Sequence, residues 1–249
     1  PRGGAGPVPF VDQFDREFSR DIEPMKGGHE DAFYYQLVSE IRRYKGARPI
    51  PPASSLPIAV DGRFDDWAQV GPEFRDTIGD PVRRDFPGWG RSLHYRNDTG
   101  RNDLIAAKAS RHGGKIAFLL QAAAEIRTSP DRAGPMLLLD VDADPRTGWL
   151  GYDFVVGRRP GSPVLERNVG GKYEWGDPTP VEAALAGDRL ELAVPIDALG
   201  LEPGRTSIDF KWADAIAETG DWSDFTLNGD VAPNDRFNYR AVFEGSEAK

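Results

Sequence analysis

The chain has 249 residues, enough for one large β domain or two smaller ones. Its net charge of -9 argues against partners that present phosphate, whether nucleic acid or an anionic membrane surface. Zero cysteines exclude disulfides, zinc–thiolate sites and thiol nucleophiles together, and no apolar run is long enough to span a bilayer.

Residues 1–9 read as a Gly/Pro-rich lead-in. Phe10, Phe14, Phe18 and Ile22 follow at four-residue spacing, a helical stripe that Pro24 must end. A clearer helix is expected from Glu30 to Tyr44, with Phe33, Leu37, Ile41 and Tyr44 on one stripe. Arg42, Arg43 and Lys45 sit where they favour the macrodipole, and Gly46 caps the end. Such a stripe needs cover, from the domain that follows or from one upstream. The Pro-rich stretch 48–57 reads as a stiff linker. The expected organisation is a helical connector at 1–47, the linker, and a domain at 58–249. A chain that starts at Pro1 is expected to be a mature product or an excised piece, which leaves room for an export signal removed earlier.

From Ile58 the texture changes to short strands separated by many of the 28 glycines and 21 prolines, the punctuation of an all-β domain. Residues 74–99 read as irregular. Asp103–Ser110 and Lys115–Ala122 form an expected hairpin around Gly113-Gly114, with Ile116, Phe118, Leu120 and Ala122 on one face. A second hairpin joins Val181–Ala186 to Arg189–Val194 through Gly187-Asp188, and Pro195–Leu199 reads as one helical turn. Ser207–Trp212 alternates again, and Phe237–Phe243 closes the domain. The expected fold is an all-β antiparallel sandwich, jelly-roll-like, preceded by a short helical segment.

The chain is organised around residues 136–157, an apolar arm, an acidic loop and a return arm. Alternation puts Leu137, Leu139 and Val141 on the core side, with Met136, Leu138, Asp140 and Asp142 on the other. Thr147-Gly148-Trp149 makes the turn. Asp140, Asp142, Asp144 and Asp153 are carboxylates that repel one another unless a cation lies among them, and calcium takes several hard oxygen ligands. The alternative is a solvated acidic turn helped by Arg146. The run is not an EF-hand: counted from Asp140, the sixth and twelfth places hold Pro145 and Gly151 rather than Gly and Glu.

Sugar rings present apolar C–H faces and are gripped by flat aromatic rings beside polar partners. Trp67 and Trp212 lie in apolar alternation and are expected in the core. Trp89, Trp149, Trp175 and Trp222 lie in turns or polar loops and are the candidates for stacking, with loop anchoring as the competing role. No nucleophile elbow, phosphate loop or histidine–metal motif appears, so the chain is not expected to be an enzyme in its own right.

Four blocks, in order, carry a family resemblance. Ile58-Ala-Val-Asp-Gly-Arg-Phe-Asp-Asp-Trp67, Lys115-Ile-Ala-Phe-Leu-Leu120, Met136 to Phe154, and Leu190-Glu-Leu-Ala-Val-Pro-Ile-Asp-Ala-Leu-Gly200 together resemble family 9 carbohydrate-binding modules and their DOMON-like relatives. Residues 14–46 resemble the segment that joins such a sandwich to an upstream domain in large secreted, glycoside-hydrolase-like bacterial proteins. The resemblance implies a β-sandwich that binds calcium and grips a sugar between two tryptophans. It implies an oligo- or polysaccharide and an upstream domain as partners, with a secreted, periplasmic or cell-surface location. Trp222 matches the family's second tryptophan. Residues 129–135 offer no match for the first, Met136 stands at the family's glutamate, and about Val155 at its arginine. The expected function is a non-catalytic carbohydrate-binding or accessory domain; the alternatives are a structural buttress that binds no sugar and, more distantly, a glycoside hydrolase.

Overall fold

The computed structural model describes residues 32–46, 49–81, 84–87, 94–129, 134–161, 163–201, 207–216, 225, 228–234 and 237–243. The chain divides into two compact units, one of residues 1–49 with 88–93, the other of residues 50–87 with 94–249. In the first unit, helix α1 spans Ala32–Lys45, with Arg42, Arg43 and Lys45 in its last turn. Gly46 follows at φ 81°, the left-handed geometry of a glycine cap. Leu37, Ile41 and Tyr44 are exposed along the helix. Among the described residues no helix is long and apolar enough to cross a membrane.

The second unit is an antiparallel β-sandwich. In chain order its strands are β1 (Phe74–Arg75), β2 (Arg84–Pro87), β3 (His94–Asn97), β4 (Leu104–His112), β5 (Lys115–Ala122), β6 (Met136–Asp140) and β7 (Phe154–Val156). Then come β8 (Val164–Asn168), β9 (Trp175–Pro180), β10 (Glu182–Ala186), β11 (Arg189–Pro195), the one-turn helix α2 (Ile196–Leu199), β12 (Ser207–Asp214), β13 (Asp230–Ala232) and β14 (Tyr239–Val242). One sheet runs β1-β4-β5-β11-β10. The other runs β13-β12-β6-β7-β8-β9, and β14 pairs with β12 beside β13. β2 and β3 pair as a separate ribbon within the stretch expected to be irregular.

The alternation read from the sequence fixes which faces meet. Ile116, Phe118 and Leu120 from β5, Leu192 and Val194 from β11, Leu137 and Leu139 from β6, and Phe210 and Trp212 from β12 fill the space between the sheets. Phe210 stands edge-on to Phe74 at 5.2 Å and to Phe118 at 5.3 Å, tying the layers through aromatic contacts. Met136 and Leu138 point to the opposite face of the second sheet and join another apolar group.

The outer face of the first sheet is covered by the segment that opens the domain. Trp67 and Val70 pack on Ala117, Leu119 and Ala193, with Leu56, Ile58, Val60 and Phe64 around them. Glu191, fully buried on β11, accepts the backbone N–H groups of Asp61 at 2.8 Å and Gly62 at 2.7 Å and the indole N–H of Trp67 at 2.8 Å. One carboxylate thus anchors a stretch without regular strands. Within the Pro-rich stretch 48–57, Ala53 and Ser54 bridge to Phe243 and Ser110, so the chain is bound to the sandwich from there on.

Candidate functional site

The acidic loop between β6 and β7 is built from aspartates that cap their own backbone. Asp140 Oδ1 accepts the N–H groups of Asp142 at 3.2 Å and Ala143 at 2.7 Å. Asp142 Oδ1 accepts the Asp144 N–H at 2.8 Å and the Thr147 hydroxyl at 3.1 Å. Asp153 Oδ2 accepts the Val141 N–H from across the hairpin at 2.9 Å. Short carboxylate side chains replace backbone partners in this way at tight turns. The result brings Asp140, Asp142 and Asp153 together, each with an oxygen within 4.8 Å of the other two. Asp144 lies outside that group and grips Arg146 in a two-pronged pair at 2.8 and 2.6 Å.

The electrostatics separate the two roles. The Asp140 carboxyl is pushed up to about 6, first by burial and then by Asp209, Asp153 and Asp142 crowding it. Burial also raises Asp153. Asp144 is instead held down at about 2 by its hydrogen bonds to Arg146. Three oxygens within 4.8 Å of one another have a common point within about 2.8 Å of each, a small contraction away from calcium–oxygen bonds of roughly 2.3–2.6 Å. The donor set, all hard oxygen, fits calcium, and Asp140, Asp142 and Asp153 are the residues that would hold it.

The same hairpin carries an aromatic face. Trp149 and Tyr152 exchange backbone hydrogen bonds at 2.9 Å in each direction, closing the turn. Gly148 makes this possible: at φ 57° a Cβ there would lie 2.1 Å from the Tyr152 carbonyl oxygen. The turn folds Trp149 onto the outer face of the second sheet, over Leu138, Val155 and Ala213. Its ring stands 4.7 Å from Tyr173, 6.4 Å from Trp175 and 5.7 Å from Phe225, all edge-on. Trp149 is only 5% exposed, whereas Tyr173 and Trp175 are half-buried and Lys172 and Glu174 beside them are exposed. The Trp175 indole N–H is buried with no acceptor. Of the four tryptophans expected to stack on sugar, Trp149 and Trp175 come together; Trp89 and Trp222 lie outside the described residues. Trp67 and Trp212 are core residues, as expected.

A second acidic group was not foreseen. Asp80, Asp103 and Asp230 each offer an oxygen within 4.8 Å of the other two. Asp80 and Asp230 are buried, and Asp103 partly so. They come from three places far apart in the chain: the loop after β1, the residue before β4 and the first residue of β13. The local signal was weak: Asp103 and Asp230 stand at the edges of strands and Asp80 in a loop. No protein-family model matches the chain, and no curated protein sequence matches it; the resemblance to family 9 modules rests on the residue blocks quoted above.

Proposed function

We propose that the sandwich is a non-catalytic carbohydrate-binding or accessory domain of a secreted polysaccharide-acting protein. The observation that carries this reading is the grouping of Trp149, Tyr173 and Trp175 on one outer sheet face, beside the exposed Lys172 and Glu174. Aromatic faces flanked by charged and amide groups suit the C–H faces and hydroxyls of a sugar ring. In this reading Trp175 and Tyr173 supply the contact surface, and the buried Trp149 fixes their position from behind. Calcium, held by Asp140, Asp142 and Asp153, would neutralise the crowded carboxylates and stiffen the loop whose turn presents Trp149.

Titration calorimetry and a glycan array test it. A responsive oligosaccharide should lose affinity severalfold on Trp175→Ala, since an aromatic contact of this kind contributes roughly 0.5–1.5 kcal/mol beyond area burial. Silence across plant, algal and bacterial glycans would discard the binding role. The accessory reading has its own support in the exposed Leu37, Ile41 and Tyr44 of α1, an apolar stripe suited to an upstream domain of the same protein. It predicts that Ile41→Lys weakens association with such a domain, whereas Trp175→Ala leaves it unchanged.

A further inference from the structure

We propose that Asp80, Asp103 and Asp230, with Asp76 and the Tyr239 hydroxyl around them, form a buried divalent-cation site that ties the two sheets together. It is separate from the hairpin loop. Asp209 on β12 lies opposite Asp140, and Asp214, five residues along the same strand, lies opposite Asp230. At about 3.3 Å per residue, the two acidic groups sit roughly 17 Å apart, at opposite ends of the second sheet.

The segments that meet here come from both layers. β1 and β4 belong to the five-stranded sheet, and β13 and β14 to its partner. One direct bond already joins them: the Leu104 N–H donates to Asp230 Oδ2 at 2.6 Å. Asp230 Oδ1 accepts the Val231 N–H at 2.9 Å, and Asp103 Oδ2 accepts the Gly79 N–H at 2.8 Å. The carboxylates are thereby held in place by the backbone, with lone pairs left over. Asp76 Oδ1 takes a side-chain N–H from Asn234 at 3.1 Å.

The leftover atoms point to a ligand. Asp76 Oδ2, Asp103 Oδ1 and the Tyr239 hydroxyl are buried and have no hydrogen-bond partner. Tyr239 is 91% buried, the complement of its 9% exposure. Its phenol is raised first by burial and then by Asp76, Asp230 and Asp80, so its oxygen faces these carboxylates. A buried polar atom without a partner is costly, and several around one point are rare in folded proteins. The Lys211 ammonium reaches Asp76 electrostatically while donating to the Pro233 carbonyl. One ammonium does not balance Asp76, Asp103 and Asp230.

A divalent ion resolves both problems at once. The three ligand oxygens have a common point within about 2.8 Å. That spacing, and a donor set without nitrogen or sulfur, favours calcium over zinc and other transition metals. Magnesium demands shorter bonds and near-ideal octahedral geometry, so it should bind more weakly.

The experiment uses the whole chain, stripped with chelator and dialysed, with calcium chloride, magnesium chloride and terbium chloride as probes. Asp140→Asn with Asp142→Asn removes the hairpin-loop group; this double variant should still bind calcium and still show terbium emission sensitised by aromatic excitation. Asp103→Asn on that background should weaken binding by about tenfold or more, as loss of one charged ligand does. Should Asp103→Asn fail to fold, Tyr239→Phe removes only the hydroxyl and keeps the ring against Phe74 and Phe210; it should lower affinity severalfold. Calcium binding abolished in the double variant, or unchanged by both Asp103→Asn and Tyr239→Phe, would overturn the proposal.

Discussion

Glu191 offers the sharpest test of how this sandwich is held together. Its carboxylate is fully buried and receives three N–H donors, two from the backbone of Asp61 and Gly62 and one from the Trp67 ring. Hydrogen bonds to a charged group contribute roughly 1.5–3 kcal/mol each. Simple addition would overshoot, because Asp61 is exposed and its N–H can return to water once the acceptor is gone. The indole N–H cannot, since Trp67 is 2% exposed. Glu191→Ala is therefore expected to destabilise by about 3–5 kcal/mol, the range for breaking a buried charged network. For a domain of this size that lowers Tm by roughly 6–20 °C. Glu191→Gln keeps the volume and one acceptor, and should lose about 1–2 kcal/mol.

Urea unfolding measures the totals, and hydrogen exchange locates them: protection should fall first at residues 58–70, before the strands of either sheet. Trp67→Phe removes the indole donor, so the double variant with Glu191→Ala should be less than additive by about 1 kcal/mol or more. An alanine variant within about 0.5 kcal/mol of the parent would refute the view that this carboxylate anchors the opening segment.

The remaining predictions concern packing and pH. Leu138, fully buried on the outer face of the second sheet, should cost about 2–5 kcal/mol when changed to Ala, whereas the exposed Leu185→Ala should stay within about 0.5 kcal/mol; thermal melts compare them directly. Protein stripped of divalent ions should be most stable near pH 4. Burial pushes Asp140 up to about 6, Asp76 to about 7 and Asp230 to about 8, against an ordinary 3.8. The folded chain then keeps protons that the unfolded chain has released, so stability falls as pH rises from about 4 through each folded value. The fall is steepest between about pH 4 and 6, where all three groups hold extra protons in the folded chain, and it ends above about pH 8. Calcium should flatten this profile, giving a larger rise in Tm at pH 8 than at pH 5; equal shifts at both would count against bound carboxylates.

Much of the fold was legible because the main strands alternate cleanly. Ile116, Phe118 and Leu120 on one side and Leu137 and Leu139 on the other allow one arrangement of faces, and Gly113-Gly114 and Gly187-Asp188 mark their turns. β9 was not legible: Trp175-Gly-Asp-Pro-Thr-Pro180 has almost no strand propensity. It forms because it lies at the sheet edge, where proline's missing N–H loses no ladder bond. β8 was missed because Glu166 interrupts its apolar pattern; Arg158 and Arg159 neutralise that carboxylate from outside the strand. The grouping of Asp140, Asp142 and Asp153 followed from spacing within one hairpin. Asp80, Asp103 and Asp230 meet only through the packing of two sheets, which no local window reports.

The ways this chain buries acid argue for the second cation site. Glu166 is fully buried between two guanidinium groups. Asp214 is fully buried against Arg101 and the Asn102 amide. Glu191 is buried against three N–H donors. In each case a charge removed from water is repaid by a partner already in the chain, as the desolvation of a carboxylate requires. Asp76, Asp103 and Asp230 break that pattern: no guanidinium is hydrogen-bonded to them among the described residues, and Asp76 and Asp103 each keep a buried oxygen without a donor. A fold that matches Glu166, Asp214 and Glu191 with donors of its own, yet leaves Asp76 and Asp103 each with a buried oxygen that receives none, fits a compensating charge supplied from solution. Lys211 reaches Asp76 electrostatically, while its ammonium also donates to the Pro233 carbonyl and lies over the Phe225 ring. The carboxylates also sit where an ion would contribute most, at the edge where β4 meets β13. There the Leu104 N–H to Asp230 and the Asn234 amide to Asp76 already join the layers, and an ion would add to them.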